Sequence, residues 1–225
     1  MKKTKLYILF LSVCFIFTMT GCSSSDKREI TETAEAFLGA AENTDYDTVS
    51  DYCSENVLSS MGLTALNIAD SENHYYEHQE IDKTILSEET QKAVTDYYTF
   101  FAQNLIQDYS ITEVTYQDGI GTVNATITTF SREATDYMAS EAFLTELSDL
   151  MNSYQTEHLE ELSSIYMKDG EEAMQQAFYN AVIPLIMEKY KSNYDNYESD
   201  ILSIVLNVEK VNDTWKITDA YLDEE

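Results

Sequence analysis

The chain has 225 residues, 41 of them acidic against 13 basic, for a formal net charge of −28. That balance excludes nucleic acid as a partner, because binding a phosphate backbone takes a surplus of cationic side chains. Hydrophobic residues at 44% and aromatics at 12% exclude an acidic disordered chain, which lacks the apolar side chains to build a core.

Lys2, Lys3 and Lys5 precede an uncharged apolar run, Leu6 to Phe17, and Thr18, Thr20 and Gly21 then lead to Cys22. This order of charge, apolar stretch and small-residue exit predicts a secretory signal peptide over residues 1–21. The run is shorter than the ~20 apolar residues a transmembrane helix needs. Met19-Thr20-Gly21-Cys22 resembles the lipobox of bacterial lipoproteins, with Met19 where leucine is commonest. The resemblance implies cleavage between Gly21 and Cys22 and a diacylglyceryl group on the Cys22 thiol. It also implies a location on the extracytoplasmic face of the cell membrane, with the membrane as a partner through that lipid. Two acyl chains matter physically, since one alone gives only marginal membrane binding. Loss of three lysines leaves 10 basic against 41 acidic residues in the mature part. The serines before Lys27 predict a flexible tether over residues 22–27. With no Pro/Gly-rich linker beyond it, residues 28–225 are expected to form a single α+β domain.

Apolar residues three and four apart (Ile30, Ala34, Phe37, Leu38, Ala41) predict a helix from Ile30 to Glu42. Asn43-Thr44-Asp45 ends it, and Asp45 or Asp47 can cap a short helix through Tyr52. Residues 54–70 show no clean period, and the polar, aromatic stretch 71–80 reads as a loop. Ser87-Glu88-Glu89 opens a helix running to about Gln107. Tyr109 to Gln117 and Ile120 to Phe130 read as strands joined by Asp118-Gly119, a pair that tolerates the positive φ of a type I′ turn. From Ser131 the period returns to that of a helix, and one long stripe runs to Asp169-Gly170, where glycine suits a left-handed cap. A second helix follows from Glu171, with Pro184 inside it and a kink expected near Asn180. The two helices are expected to form an antiparallel hairpin, an insert over residues 131–198. Ile201 to Lys210 and Thr214 to Leu222 are the last strands, turned by Asn212-Asp213.

The N-terminal helix carrying Ala36-Phe37-Leu38 and the hairpin containing Asn124-Ala125-Thr126-Ile127-Thr128-Thr129 are followed by a last hairpin. That hairpin carries Val208-Glu209-Lys210-Val211 and Trp215-Lys216-Ile217. Together these resemble small lipoproteins of unknown function, mostly Gram-positive, with a nuclear transport factor 2-like or cystatin-like α+β domain. The resemblance implies N-terminal helices packed on a curved antiparallel sheet of about four strands, with the helical hairpin between the two strand pairs. Some relatives of that fold do isomerase or dehydratase chemistry in a conical pocket, and others bind only a ligand or a protein. No catalytic residue is carried over to this chain.

Candidate sites are few. His74-Tyr75-Tyr76-Glu77-His78 fits the H-x-x-E-H pattern of inverted zinc proteases, but its polar neighbours lack the apolar face a metal helix needs, so an exposed loop is expected. His158 lies on an apolar stripe and reads as a packed histidine with one hydrogen bond. Cys53 is the one thiol left beside Cys14 of the leader and the lipidated Cys22, so the mature chain has no intrachain disulfide. It reads as buried and inert, with no histidine near it in sequence. Asp195, Glu198 and Asp200, and Asp219, Asp223, Glu224 and Glu225, lack calcium-loop spacing. There is no P-loop, G-x-G-x-x-G or G-x-S-x-G. The expectation is therefore a lipid-anchored extracytoplasmic binding or scaffold module, without catalysis, metal or cofactor. The alternatives are a small-molecule pocket protein with isomerase-like or hydrolytic activity, or an accessory subunit of an envelope transporter or sensor. A small ligand or an envelope protein is the partner to look for.

Overall fold

The computed structural model of the protein describes residues 24–223. The predicted leader, the Gly21–Cys22 cleavage site and the Cys22 lipid attachment lie outside the described residues, as do Glu224 and Glu225. No helix among the described residues is long and apolar enough to cross a membrane. The fold is α+β, with a four-stranded antiparallel sheet of order β1-β2-β3-β4 and helices inserted between its two strand pairs. By its contacts the described chain divides into two compact units, residues 24–63, 108–127 and 202–223 in one and 64–107 and 128–201 in the other.

The sheet unit begins with helix α1, residues 24–42, so the chain is already helical at positions 24–27, where a flexible tether is expected. Ser25 Oγ donates to Glu29 Oε1, and Lys210 Nζ lies 3.4 Å from Asp26 Oδ1. Thr44 (φ 57°) ends α1, and Asp45 caps α2 (Tyr46–Tyr52) by accepting from the Thr48 amide at 3.1 Å. Helix α3 (Glu55–Ser60) follows and packs, like α2, against the last strand. β1 (Asp108–Gln117) and β2 (Ile120–Thr129) turn at Asp118 and Gly119, both at positive φ. β3 (Asp200–Val211) and β4 (Thr214–Leu222) turn at Asn212 and Asp213 in the same way. The register of the second pair slips beside Asn207 and Val208, where Asn207 faces Asp219 and Val208 faces Ile217. Such a bulge re-aims side chains along a strand, and three consecutive residues, Ile204, Val205 and Leu206, are buried just before it.

Alternation sets the inner face: Val123, Ala125 and Ile127 are buried on β2 and Trp215 and Ile217 on β4, and Ala220 is buried beyond the register slip. They share the unit with Ile30, Ala34, Phe37 and Leu38, all fully buried on α1. Gly121 shows how close α1 comes, since a Cβ there would sit 2.7 Å from Ile30 Cδ1.

The helical unit contains α4 (Ile68–His78), α5 (Glu88–Leu105), α6 (Arg132–Met138), α7 (Glu141–Glu157), α8 (Leu159–Asp169) and α9 (Glu171–Tyr194). The stretch expected as one long helix from Ser131 is three helices. Ser140 breaks it first, its hydroxyl accepting from the Phe143 amide at 3.3 Å as the N-cap of α7. His158 breaks it again between α7 and α8. Gly170 has the expected positive φ (95°) but an extended ψ (−177°), and as a single-residue joint it folds α8 against α9.

Helix α9 also packs on α5, α6 and α7. It runs through Pro184, which cannot donate to the Asn180 carbonyl. The buried Thr90 hydroxyl of α5 donates to that carbonyl at 3.2 Å, and the Asn180 side-chain oxygen accepts from the Ser87 amide at 2.7 Å. The vacancy left by proline in one helix is thus filled by the first turn of another.

Candidate functional site

Residues 71–80, expected as a loop, lie mostly in α4. Asn67 caps it, its side chain accepting from the Asp70 amide at 3.3 Å. It ends at Glu80, a non-glycine residue at φ 53°, with the Ile81 amide returning to the Tyr76 carbonyl at 2.9 Å. His74, Glu77 and His78 share the exposed side of this helix. The imidazole centroids are 6.2 Å apart, and no group of three metal-binding side chains occurs among the described residues.

The opposite face of α4 is the chemically distinctive one. Glu72 and Tyr76, one turn apart, are buried (8% and 4% exposed). Tyr76 packs with Leu86, Val94, Ile183 and Met187, and Tyr75, Tyr97 and Tyr98 lie against this cluster half-buried. The rings meet at edges: Tyr75 on Tyr76 at 5.4 Å, Tyr75 on Tyr98 at 6.3 Å, Tyr97 on Tyr98 at 5.1 Å. Tyr97 also faces Tyr190 of α9 at 5.6 Å. These geometries suit ring quadrupoles, which disfavour a flat sandwich.

Lys83 lies in a short 3-10 helix, Lys83–Ile85, capped by Asp82, whose carboxylate accepts from the Thr84 amide at 2.9 Å. Its ammonium donates to Glu72 Oε2 at 3.2 Å and stands 5.3 Å from the centre of the Tyr76 ring. The Glu72 side chain is 10% exposed and that of Lys83 41%, so the cation reaches the buried carboxylate from the solvent side. The Tyr76 hydroxyl is buried without a hydrogen-bond partner.

Burial pushes the Tyr76 phenol up to about 12, with the Glu72 charge and Tyr98 adding to it. Burial raises Tyr75, Tyr97, Tyr98 and Tyr190 as well, each neighbouring phenol opposing a second negative charge where several meet. Tyr194 is pushed up to about 12 by burial, against a hydrogen bond from Thr135 that lowers it. The phenols therefore stay protonated at neutral pH.

No family model matches the chain, and no curated protein or solved structure matches it.

The remaining candidates separate. Cys53 is 5% exposed and is the free thiol among the described residues. It forms a parallel bridge with Ile217, and the next amide, Ser54, donates to the Ile217 carbonyl at 3.0 Å. Burial pushes its thiol up to about 11, which makes it a poor nucleophile. His158 is not packed inside the stripe. It sits at the α7–α8 joint with its ring stacked on Tyr154 at 4.2 Å and Nδ1 3.1 Å from Glu161 Oε2. Asp200 accepts from the Arg132 amide at 2.6 Å, satisfying an N-terminal donor of α6 that Ser131 leaves without a side-chain cap. In the sheet unit, Glu29, Glu32, Tyr52, Asp213 and Trp215 line a recess of about 310 Å³. The Trp215 indole donates to Glu29 Oε2 at 3.0 Å, and Lys210 stands 4.8 Å above its ring.

Sequence reasoning missed Glu72, Tyr76 and Lys83 as a group. The one signal available was the four-residue spacing of Glu72 and Tyr76 beside Tyr75, readable only once α4 is taken as a helix.

Proposed function

We propose that the protein is a lipid-anchored extracytoplasmic binding module that performs no catalysis. The observation that carries this reading is the order of residues 1–22: cationic start, apolar run, then Met19-Thr20-Gly21-Cys22. Cleavage before Cys22 and acylation of its thiol would leave the α1 helix starting within a few residues of the membrane. The acidic balance of the mature chain supports a domain that stands off an anionic surface instead of lying on it. A nuclear transport factor 2-like domain is part of the same proposal, on the strength of the two hairpins and the N-terminal helix named above. The test is expression in a lipoprotein-processing bacterium with a labelled fatty acid. The wild-type chain should carry label and a mass matching cleavage after Gly21. Cys22→Ser should accumulate unlabelled precursor, and normal processing of that variant would refute the anchor.

A further inference from the structure

We propose that Glu72 and the face of Tyr76 form a binding seat for an alkylammonium ligand, which takes the place that the Lys83 side chain fills in this structure. The inference deepens the reading of the chain as a binding module and does not depend on the lipid anchor.

Two recognition elements for such a group stand together: a carboxylate with little exposure and an aromatic ring face. Both are engaged by one ammonium, that of Lys83, at 3.2 Å and 5.3 Å. Carboxylate and ring quadrupole each attract a cation, and more strongly where water is thinned out. Lys83 is the least fixed member of the group. Its side chain is 41% exposed, against 10% for Glu72, and it extends from one turn of 3-10 helix. Swinging it into solvent opens the seat from the side by which a ligand would arrive, at the cost of leaving a buried carboxylate unpaired. Ligand binding meets that cost. Ile81 and Ile85 pack half-buried on the same cluster and suit an alkyl chain. The charge of the chain discriminates further, since −28 concentrates cations and repels anions. Because the Glu72 contact is a hydrogen bond from nitrogen, primary and secondary ammonium groups fit better than quaternary ones. A free amine and a lysine side chain of a partner share this chemistry.

The experiment titrates the full chain with n-butylammonium at fixed ionic strength, following tyrosine fluorescence, with 1-butanol as the uncharged isostere. Saturable binding of butylammonium is expected, with no response to butanol. Lys83 acts as an internal competitor, so Lys83→Met should tighten binding about tenfold by raising the open fraction. Glu72→Gln should weaken it about tenfold or more. Circular dichroism checks that each variant is folded, and Lys83→Gln replaces Lys83→Met if the latter is not. Equal responses to butylammonium and butanol, or a folded Lys83 variant that binds no more tightly than wild type, would overturn the proposal.

Discussion

In the sheet unit the fully buried side chains are hydrocarbon: Ile30, Phe37, Leu38, Val49, Val123, Leu206 and Ile217. In the helical unit the core around Tyr76 is walled by Tyr75, Tyr97 and Tyr98 and carries a glutamate and an unpartnered hydroxyl. The first kind of interior gains most from packing, and the buried group in it that titrates is the inert Cys53 thiol. The second keeps polar atoms where water is scarce, which costs about 1–3 kcal/mol for each one left unpaired. Polar interiors of that sort are tolerated where they hold a ligand or fix a geometry, so the contrast directs attention to the helical unit.

Alkali should separate the two most strongly. A phenol near 10 in the unfolded chain and about 12 in the fold, as for Tyr76 and Tyr194, releases its proton first in the unfolded state. The unfolded state then binds fewer protons, so stability is untouched below pH ~10 and falls as pH rises toward 12. These two side chains alone should cost on the order of a few kcal/mol by pH 12. Tyrosinate absorbance should report the helical unit unfolding, while the fluorescence of Trp215, the one tryptophan, follows the sheet unit. Simultaneous loss of both signals near pH 10 would erase the distinction.

Phe37→Ala strikes the hydrocarbon core and should cost ~3–5 kcal/mol in urea unfolding followed by Trp215. Gly121→Ala tests the closeness of α1 to β2. The added methyl meets three Ile30 side-chain atoms at 2.7 to 2.9 Å, and a loss of ~1–3 kcal/mol is expected. Ile30→Val in the same chain should recover part of that loss.

In the helical unit, Thr90→Val should cost ~1–2 kcal/mol because the Asn180 carbonyl loses its donor. In a Pro184→Ala background the restored amide can serve that carbonyl, so the same substitution should cost measurably less. A double-mutant cycle reads this coupling directly. The smallest effect belongs to Tyr76→Phe. It removes a buried hydroxyl that bonds nothing and should raise stability by ~1 kcal/mol.

Both hairpins were legible because their information is local: Asp118-Gly119 and Asn212-Asp213 take positive φ whatever surrounds them. The caps at Asp45 and Ser87 were legible for the same reason. Helix α4 was not, since Glu72 interrupts its apolar face and Glu80, not glycine, ends it. The breaks at Ser140 and His158 were hidden by an apolar stripe that continues across them, so periodicity alone joined three helices into one. The Glu72–Lys83 pair joins a helix to a turn eleven positions later, a contact no repeat encodes.

The order in which the units are written along the chain carries a consequence for synthesis. Every segment of the helical unit precedes residue 202, whereas the sheet unit lacks most of β3 and all of β4 until the final stretch, Leu202–Glu225, is made. During synthesis the phenolic interior can close while α1, β1 and β2 still wait with their apolar faces uncovered. The sheet's first hairpin is then the segment most in need of shelter on a nascent chain, and truncation before Leu202 should leave a folded helical body tied to a sticky half-sheet.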